Sequence, residues 1–348
     1  MATLSKTPSE LAHEIAQECV SRAPVLILGS GASAAYDIPG MPGLRNHLMG
    51  IAAPSGATDE DKSAWQSFVD RLNAVDLETA LTDIRLSVSM TLLLVENTWD
   101  FLVPHDLKIF AKMVENRKIF PLTTLYRHLF QSTNSDIHVV TPNYDRIAEY
   151  AADAGGMCHY TGFGYGYLRH RVVELEPRIH LGRSPARVVK VWKVHGSLDW
   201  FRDRDGIVVA LPVTTTRPCG LEPVIVTPGI AKYRITHDEP FLSVKQGADS
   251  ALQSAGAYLC IGYGFNDSHV QTKLVERCRF ESVPLVLITK AVSPAALAFL
   301  KSGKCKRYMA LEEFGDGSKM YTGEHPNGVE LKDKPAWKLE QFLTMVTA

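Results

Sequence analysis

Several things the 348-residue sequence lacks narrow the field. There is no Cys-x-x-Cys. The six cysteines (Cys19, Cys158, Cys219, Cys260, Cys278 and Cys305) are spread so widely that neither a zinc ribbon nor a redox pair is written locally. Free thiols in a reducing compartment are expected. No apolar run approaches membrane-spanning length: the longest, MTLLLV, stops at Glu96. The N-terminal stretch lacks the apolar core of a signal peptide and reads instead as an amphipathic helix starting at Thr7-Pro8-Ser9, so the expected location is cytoplasmic. No charge of one sign dominates, with 37 Lys and Arg against 38 Asp and Glu, which removes any global pull toward nucleic acid or an anionic membrane. Repeats, low-complexity tracts and long Pro/Gly linkers are also missing. With 45% hydrophobic and 22% charged residues, the composition is that of a folded chain able to bury a sizeable core, read as one domain over 1–348.

What is present is a series of short β-rich runs, most of them followed by small or polar residues and a helical stretch. They are VLILGSG (25–31), IHVVTPN (137–143), VVKVWKVHGS (188–197), EPVIVTPG (222–229), AYLCIGYGF (257–265) and PLVLITK (284–290). Continuous apolar runs, rather than alternation, are what parallel strands covered on both faces require. The pattern predicts a doubly wound α/β fold with a parallel six-stranded Rossmann-like sheet and ligand chemistry at the carboxyl ends of its strands. Residues 24–44, 136–197 and 222–348 form this core. Residues 45–135 carry helical periodicity and read as an insertion, and 198–221 read as a small β insertion with a turn at 203–206.

The chemistry concentrates at strand ends. Gly29, Gly31 and Ala34 fit G-x-G-x-x-A after a strand, a spacing that lets backbone N–H groups approach a pyrophosphate. A small-residue strand-to-helix turn serves packing as readily. The acidic residue that a dehydrogenase places about 20 positions further on is missing, and the prolines of DIPGMPGLR interrupt the crossover helix. TPNYD places Asn143 and Asp145 beyond the second run, KVHG places His195 beyond the third, and GYGFNDSH places Gly262, Gly264, Asn266 and Asp267 beyond the fifth.

Taken in order, these stretches resemble the sirtuin family, and within it a bacterial branch without zinc. The resemblance lies in Gly29-Ser30-Gly31-Ala32-Ser33 after the first strand, the degenerate DIPGMPGLR, Thr141-Pro142-Asn143-Tyr144-Asp145, and His195-Gly196, over most of residues 24–290. Family deacylases place two Cys-x-x-Cys pairs after the His-Gly, and here that interval holds only Cys219. The resemblance therefore implies no zinc module, no metal, and NAD as substrate, hydrolysed to ADP-ribose and nicotinamide by an effector of anti-phage defence. A non-hydrolytic NAD or ADP-ribose sensor and an NAD-dependent protein deacylase are the alternatives. It also implies a homo-oligomer formed through the helical insertion and a separately encoded regulatory partner, such as a ring-forming ATPase or a nucleotide-processing protein, with no direct nucleic-acid or membrane partner.

The roles follow from that reading. His195 serves as general base on water or a ribose hydroxyl, because an imidazole with its ordinary pKa of about 6.5 accepts protons at neutral pH. Asn143 offers donor and acceptor to the ribose and the attacking water; a turn residue is its plainer reading. Asp145 orients a ribose hydroxyl or His195, or else caps the helix that begins at Arg146. Gly29, Ser30, Gly31, Ala32 and Ser33 bind phosphate, and Asp37 approaches the nicotinamide ribose or is a solvated turn residue. Gly262, Gly264 and Asn266 hold the adenosine side, or form a tight β-to-α turn. The glycine- and aromatic-rich 161–171 segment is a lid or a surface loop, Lys232 and Tyr233 are pocket candidates, and Trp192, Trp200 and Phe201 are expected in the core.

Overall fold

A computed structural model of the chain describes residues 6–172, 178–212, 214–227 and 239–347, apart from the side chains of Ser268 and His269. The strands in chain order are β1 (Val25–Leu28), β2 (Asp136–Thr141), β3 (Cys158–Tyr160), β4 (Arg169–His170), β5 (His180–Leu181), β6 (Ser184–Pro185), β7 (Val188–Lys193) and β8 (Gly196–Arg202). They continue with β9 (Val208–Ala210), β10 (Glu222–Ile225), β11 (Tyr258–Ile261), β12 (Leu285–Ile288), β13 (Tyr308–Phe314), β14 (Gly317–Thr322) and β15 (Val329–Leu331). Nine of them form one sheet in the order β15-β14-β13-β12-β11-β1-β2-β7-β3. From β13 to β3 every neighbouring pair is parallel, and β14 and β15 add on antiparallel.

The expected six-stranded sheet is thus nine-stranded, and one of the six expected strands lies elsewhere. The 222–229 run supplies β10, which pairs antiparallel with β8 in a separate four-stranded sheet, β10-β8-β9-β4. Its apolar continuity has another cause than parallel pairing: Pro223, Val224 and Ile225 are buried where β10 packs on the helix Val88–Glu115. The extra strands were hidden by length and pattern. β3 has three residues, and β13 and β14 form a hairpin that turns at Gly315, φ 53°.

The parallel part of the sheet places the site. After β1 the chain moves outward through β2 to β7, then returns to the other side of β1 for β11, β12 and β13. This β7-β2-β1-β11-β12-β13 arrangement is the 3-2-1-4-5-6 order of dinucleotide-binding folds, whose direction reverses between β1 and β11. A crevice at the carboxyl ends of those two strands is where such sheets hold ligands. The central strands are buried throughout; all four residues of β1, β11 and β12 are covered, as double winding demands.

Residues 45–135 divide in two. The helices Met41–Met49, Asp59–Leu72 and Leu77–Asp83, with the start of Val88–Glu115, enclose a core of their own around Trp65, Phe68, Leu48 and Leu94. From Trp99 onward, that long helix and Pro121–Leu129 join the main core instead. The N-terminal helix Pro8–Ser21 starts where the sequence indicates, with a capping box between Thr7 and Glu10. No described helix is long and apolar enough to cross a membrane.

Candidate active site at the carboxyl ends of the parallel strands

The first strand delivers the chain into a five-residue helix, Ser30–Ala34. The glycines here pack backbone on backbone. A Cβ on Gly29 would lie 2.3 Å from the Gly262 carbonyl oxygen, and one on Gly262, whose φ is 59°, would lie 2.3 Å from the Ala32 nitrogen. The N–H of Gly29 donates to Ile261 O and that of Gly31 to Gly262 O, each at 3.0 Å, while Ala32 N–H donates to Gly29 O. The amides of Gly29, Gly31 and Ala32 are thus engaged inside the protein, and the two glycine loops meet across the β1–β11 crevice. Gly264 belongs to the same β11 exit, where its carbonyl accepts from Ser293 Oγ at 2.5 Å, and Asn266 beside it is exposed. Asp37, at φ 64°, carries a side chain that is 90% exposed and stands 4.0 Å from Lys112 Nζ.

Around Asn143 the strand ends build a chain of hydrogen bonds. Thr141 Oγ1 donates to Leu28 O at 2.9 Å and accepts from the Asn143 N–H at 3.0 Å, locking the β2 exit against β1. The Asn143 side-chain nitrogen then donates twice, to Gly29 O and to Ser33 Oγ, both at 2.8 Å. A backbone carbonyl only accepts, so the amide's orientation is fixed: its N–H groups face the protein and Oδ1 is the atom left to accept from a ligand. Ser33 in turn donates to Asp145 Oδ2 at 2.6 Å. Asp145 Oδ1 accepts from the N–H of Ile147, the first residue of the helix Ile147–Ala154, at 3.2 Å. Burial raises the Asp145 pKa, against the opposing pull of the Lys193 ammonium and the Ser33 hydroxyl. Ser30, Ser33, Ile38, Pro39, Asn143 and Leu198 are among the walls of a cavity of about 70 Å³ here. The larger cavities, of about 610, 510 and 370 Å³, contain none of the strand-end residues named above.

Beneath these groups lies a buried ionic layer that the sequence did not announce. Lys193, with no exposed surface, reaches the Asp145 carbonyl and stands 3.1 Å from Glu149 Oε1. Burial raises the Glu149 pKa against the Lys193 charge. Arg146 is bound through both its backbone N–H and its guanidinium to the fully buried Asp106, which also accepts from Tyr150 at 2.6 Å. Arg169 meets Asp199 at 2.6 Å. Burial would push the Asp199 carboxyl up, but Arg169, Arg146 and Lys193 outweigh it and hold the pKa below the ordinary value.

His195 follows β7, and Val194 N–H donates to Thr141 O at 3.1 Å, so the β7 and β2 exits are adjacent. The two side chains part company there. Asn143 lines the cavity, whereas the His195 side chain, 8% exposed, places its Nε2 3.0 Å from Asp267 Oδ2. The carboxylate beside His195 is that of Asp267, at the β11 exit, while Asp145 bonds Ser33 Oγ and the Ile147 N–H. Gly196 is required behind the histidine, since at φ 88° a Cβ would lie 2.1 Å from Val224 O. His195 O accepts from Val226 N–H, and Tyr144 Oη donates to Val226 O at 2.7 Å, fastening the end of β10 over this corner. The 161–171 segment carries β4, pinned to β9 and by Arg171 to Gly162 O. Trp192, Trp200 and Phe201 are core residues. Lys232 and Tyr233 lie outside the described residues. Among the described residues, no group of three or more His, Cys, Asp or Glu side chains is placed to hold a metal ion.

No family model matches the chain, and no curated protein matches it. Solved structures similar to it include one from work on the mechanism and regulation of Sir2 enzymes, at 13% identity, TM-score 0.44, and 86% and 92% coverage of this chain and that one. A complex of a Sir2 homologue with NAD aligns at 13% identity, TM-score 0.42, over 89% and 90% of the two chains. A Sir2 protein bound to a propionylated peptide aligns at 12% identity, TM-score 0.40, over 79% and 85%.

Proposed function

We propose that the protein is an NAD⁺ glycohydrolase that converts NAD⁺ and water to ADP-ribose, nicotinamide and a proton. The observation that carries this reading is the fixed amide of Asn143, which lines the cavity at the carboxyl ends of a sheet whose strand order reverses beside it. In the reaction the bond between the ribose anomeric carbon and the nicotinamide nitrogen breaks, and its electron pair leaves with neutral nicotinamide. Water adds to the oxocarbenium-like sugar. Asn143 Oδ1 accepts a hydrogen bond from that water or from a ribose hydroxyl, and the proton released by the water passes to His195. Ser33 and Asp145 keep the amide facing one way throughout. Ser33 Oγ and the Ser30 side chain are the polar groups of the first loop that border the cavity. With three loop amides already engaged, phosphate binding in this reading falls to side chains of the same loop, Ser30 and Ser33 among them.

The test is nicotinamide release from NAD⁺ by the purified protein, beside Asn143→Ala and His195→Ala. Loss of about 10²-fold or more in kcat for both supports the assignment; a fully active His195→Ala enzyme overturns it. An acyl-lysine peptide included in parallel separates protein deacylation from hydrolysis. One observation favours a second reading: His195 faces Asp267 and does not border the cavity. A non-hydrolytic sensor would bind NAD⁺ or ADP-ribose by calorimetry with no turnover in any assembly state. An anti-phage role, oligomerisation through the helical insertion and control by a separate partner rest on the sirtuin resemblance. A fully active monomer by light scattering at micromolar concentration would remove the last two.

A further inference from the structure

We infer that Trp99 and Asp106, on one face of the helix Val88–Glu115, are positioning residues for Asn143: they set the main chain of the short segment that carries it. The kinetic consequence rests on the hydrolase reading. The placement of the amide does not.

Residues 142–146, between β2 and the helix Ile147–Ala154, belong to no strand and no helix, so their main-chain polar groups need partners from elsewhere. The Asn143 N–H donates to Thr141 Oγ1 at 3.0 Å, and Tyr144 O accepts from the Leu198 N–H at 3.1 Å. Asp145 O accepts from Lys193 Nζ, and the Arg146 N–H donates to Asp106 Oδ1 at 2.9 Å. Two of these four contacts lead back to the long helix. Asp106 makes its contact directly. Trp99 acts through Leu198, because its indole N–H donates to Leu198 O at 2.8 Å while the Leu198 N–H holds Tyr144 O. The two helix residues are seven positions apart, which at about 3.6 residues per turn puts them on one face, and both are buried. The helix thus fixes the chain one and three positions past Asn143. The chemistry at Asp106 calls for a carboxylate. One oxygen accepts from the Arg146 N–H, and the other from the Arg146 guanidinium, Nε at 2.9 Å, and from Tyr150 Oη at 2.6 Å. An amide offers a single oxygen and would turn its own N–H groups toward one of these sets of donors, releasing either the main chain or the guanidinium.

Asp106→Asn and Trp99→Phe, which removes the indole donor, are the test variants. Leu343→Ala, in the helix Leu339–Thr347, is the control that lowers stability from a remote part of the core. The first readout needs no substrate: hydrogen exchange of the Asn143 side-chain amide in protein labelled with ¹⁵N-asparagine, its signals identified by their loss in Asn143→Ala. In the parent that amide donates to Gly29 O and to Ser33 Oγ. Its exchange should quicken by about tenfold or more in Asp106→Asn and Trp99→Phe, and stay within about threefold of the parent in Leu343→Ala. Exchange in the two test variants no faster than in the control overturns the inference. If Asp106→Asn is recovered unfolded, Trp99→Phe decides by the same comparison. Nicotinamide release by Asp106→Asn should fall by about tenfold or more in kcat with KM within about threefold, and the same substitution placed on Asn143→Ala should remove less than about threefold more. The full loss repeated in that background shows that Asp106 acts other than through Asn143 and also overturns the inference. A parent protein that turns over no NAD⁺ defeats the hydrolase reading and leaves the exchange comparison to decide.

Discussion

Replacing Gly262 by alanine isolates the cost of packing two backbone loops directly against each other. The added methyl carbon would lie 2.3 Å from the Ala32 nitrogen and 2.4 Å from the Gly31 carbonyl carbon, distances that no rotamer relieves because both neighbours are main chain. Overpacking of this kind costs about 1–3 kcal/mol, and the left-handed φ of 59° adds about 1 kcal/mol for any residue with a Cβ. The expected total is about 2–4 kcal/mol. A chain of this length has an unfolding entropy of about 0.7 kcal/mol per kelvin, so the melting temperature should drop by about 3–6 K. Gly156 provides the control. Its φ is 70° and a Cβ there meets nothing within 4 Å, so Gly156→Ala incurs the dihedral penalty alone and should lower the melting temperature by less than about 2 K. Scanning calorimetry of the two variants at one protein concentration makes the comparison. Equal shifts would refute the claim that the glycine loops close on each other.

The buried ion pair gives two further predictions. Lys193→Met leaves Glu149 without its partner and should cost about 3–5 kcal/mol in urea denaturation, whereas Lys193→Met with Glu149→Gln should recover most of it; a single variant within 1 kcal/mol of the parent would show that the pair is not buried as described. The second concerns pH. Burial raises the folded-state pKa of Glu149 above its ordinary 4.5, and that of Asp145 above 3.8, so the folded protein holds protons that the unfolded chain has released. Parent stability should therefore fall as pH rises through the window above these values, with a shallower slope in the double variant. Asp199, with its lowered pKa, acts oppositely: its stabilisation is present above 3.8 and is lost as pH falls through its folded-state value. Identical slopes for parent and double variant between pH 4.5 and neutrality would refute the Glu149 assignment.

Five of the six strand runs stood out in the sequence because a short, continuously apolar segment between small residues has few places to go but a covered parallel strand. The sixth shows the limit of that signal: β10 is just as apolar because a helix covers it, and burial alone does not report the direction of pairing. The division of residues 45–135 was invisible for a related reason, since helical periodicity says that an apolar face exists and not which core receives it. At the site, Asn143, Asp145 and Ser33 were legible from their positions just past strand ends, and the structure joins them in one chain of hydrogen bonds. Lys193 and Glu149 were not, because both residue types usually face water and their burial depends on partners distant in sequence, Glu149 lying 44 positions before Lys193. Asp267 stands at a strand end in the sequence with nothing nearby to name its neighbour. Its partner arrives from the far side of β1 and β2, a relation that appears only once the strand order is known.

The separate apolar nucleus around Trp65 and Phe68 bears on how the molecule comes apart. Its residues are distinct from those of the larger hydrophobic body, to which it is joined chiefly through the long helix Val88–Glu115. Native-state hydrogen exchange should therefore find the amides of this lobe exchanging before those of the sheet. The same helix then runs on to Trp99, whose indole N–H donates to the Leu198 carbonyl at 2.8 Å in the cavity wall, so one continuous rod ties the outer lobe to that wall.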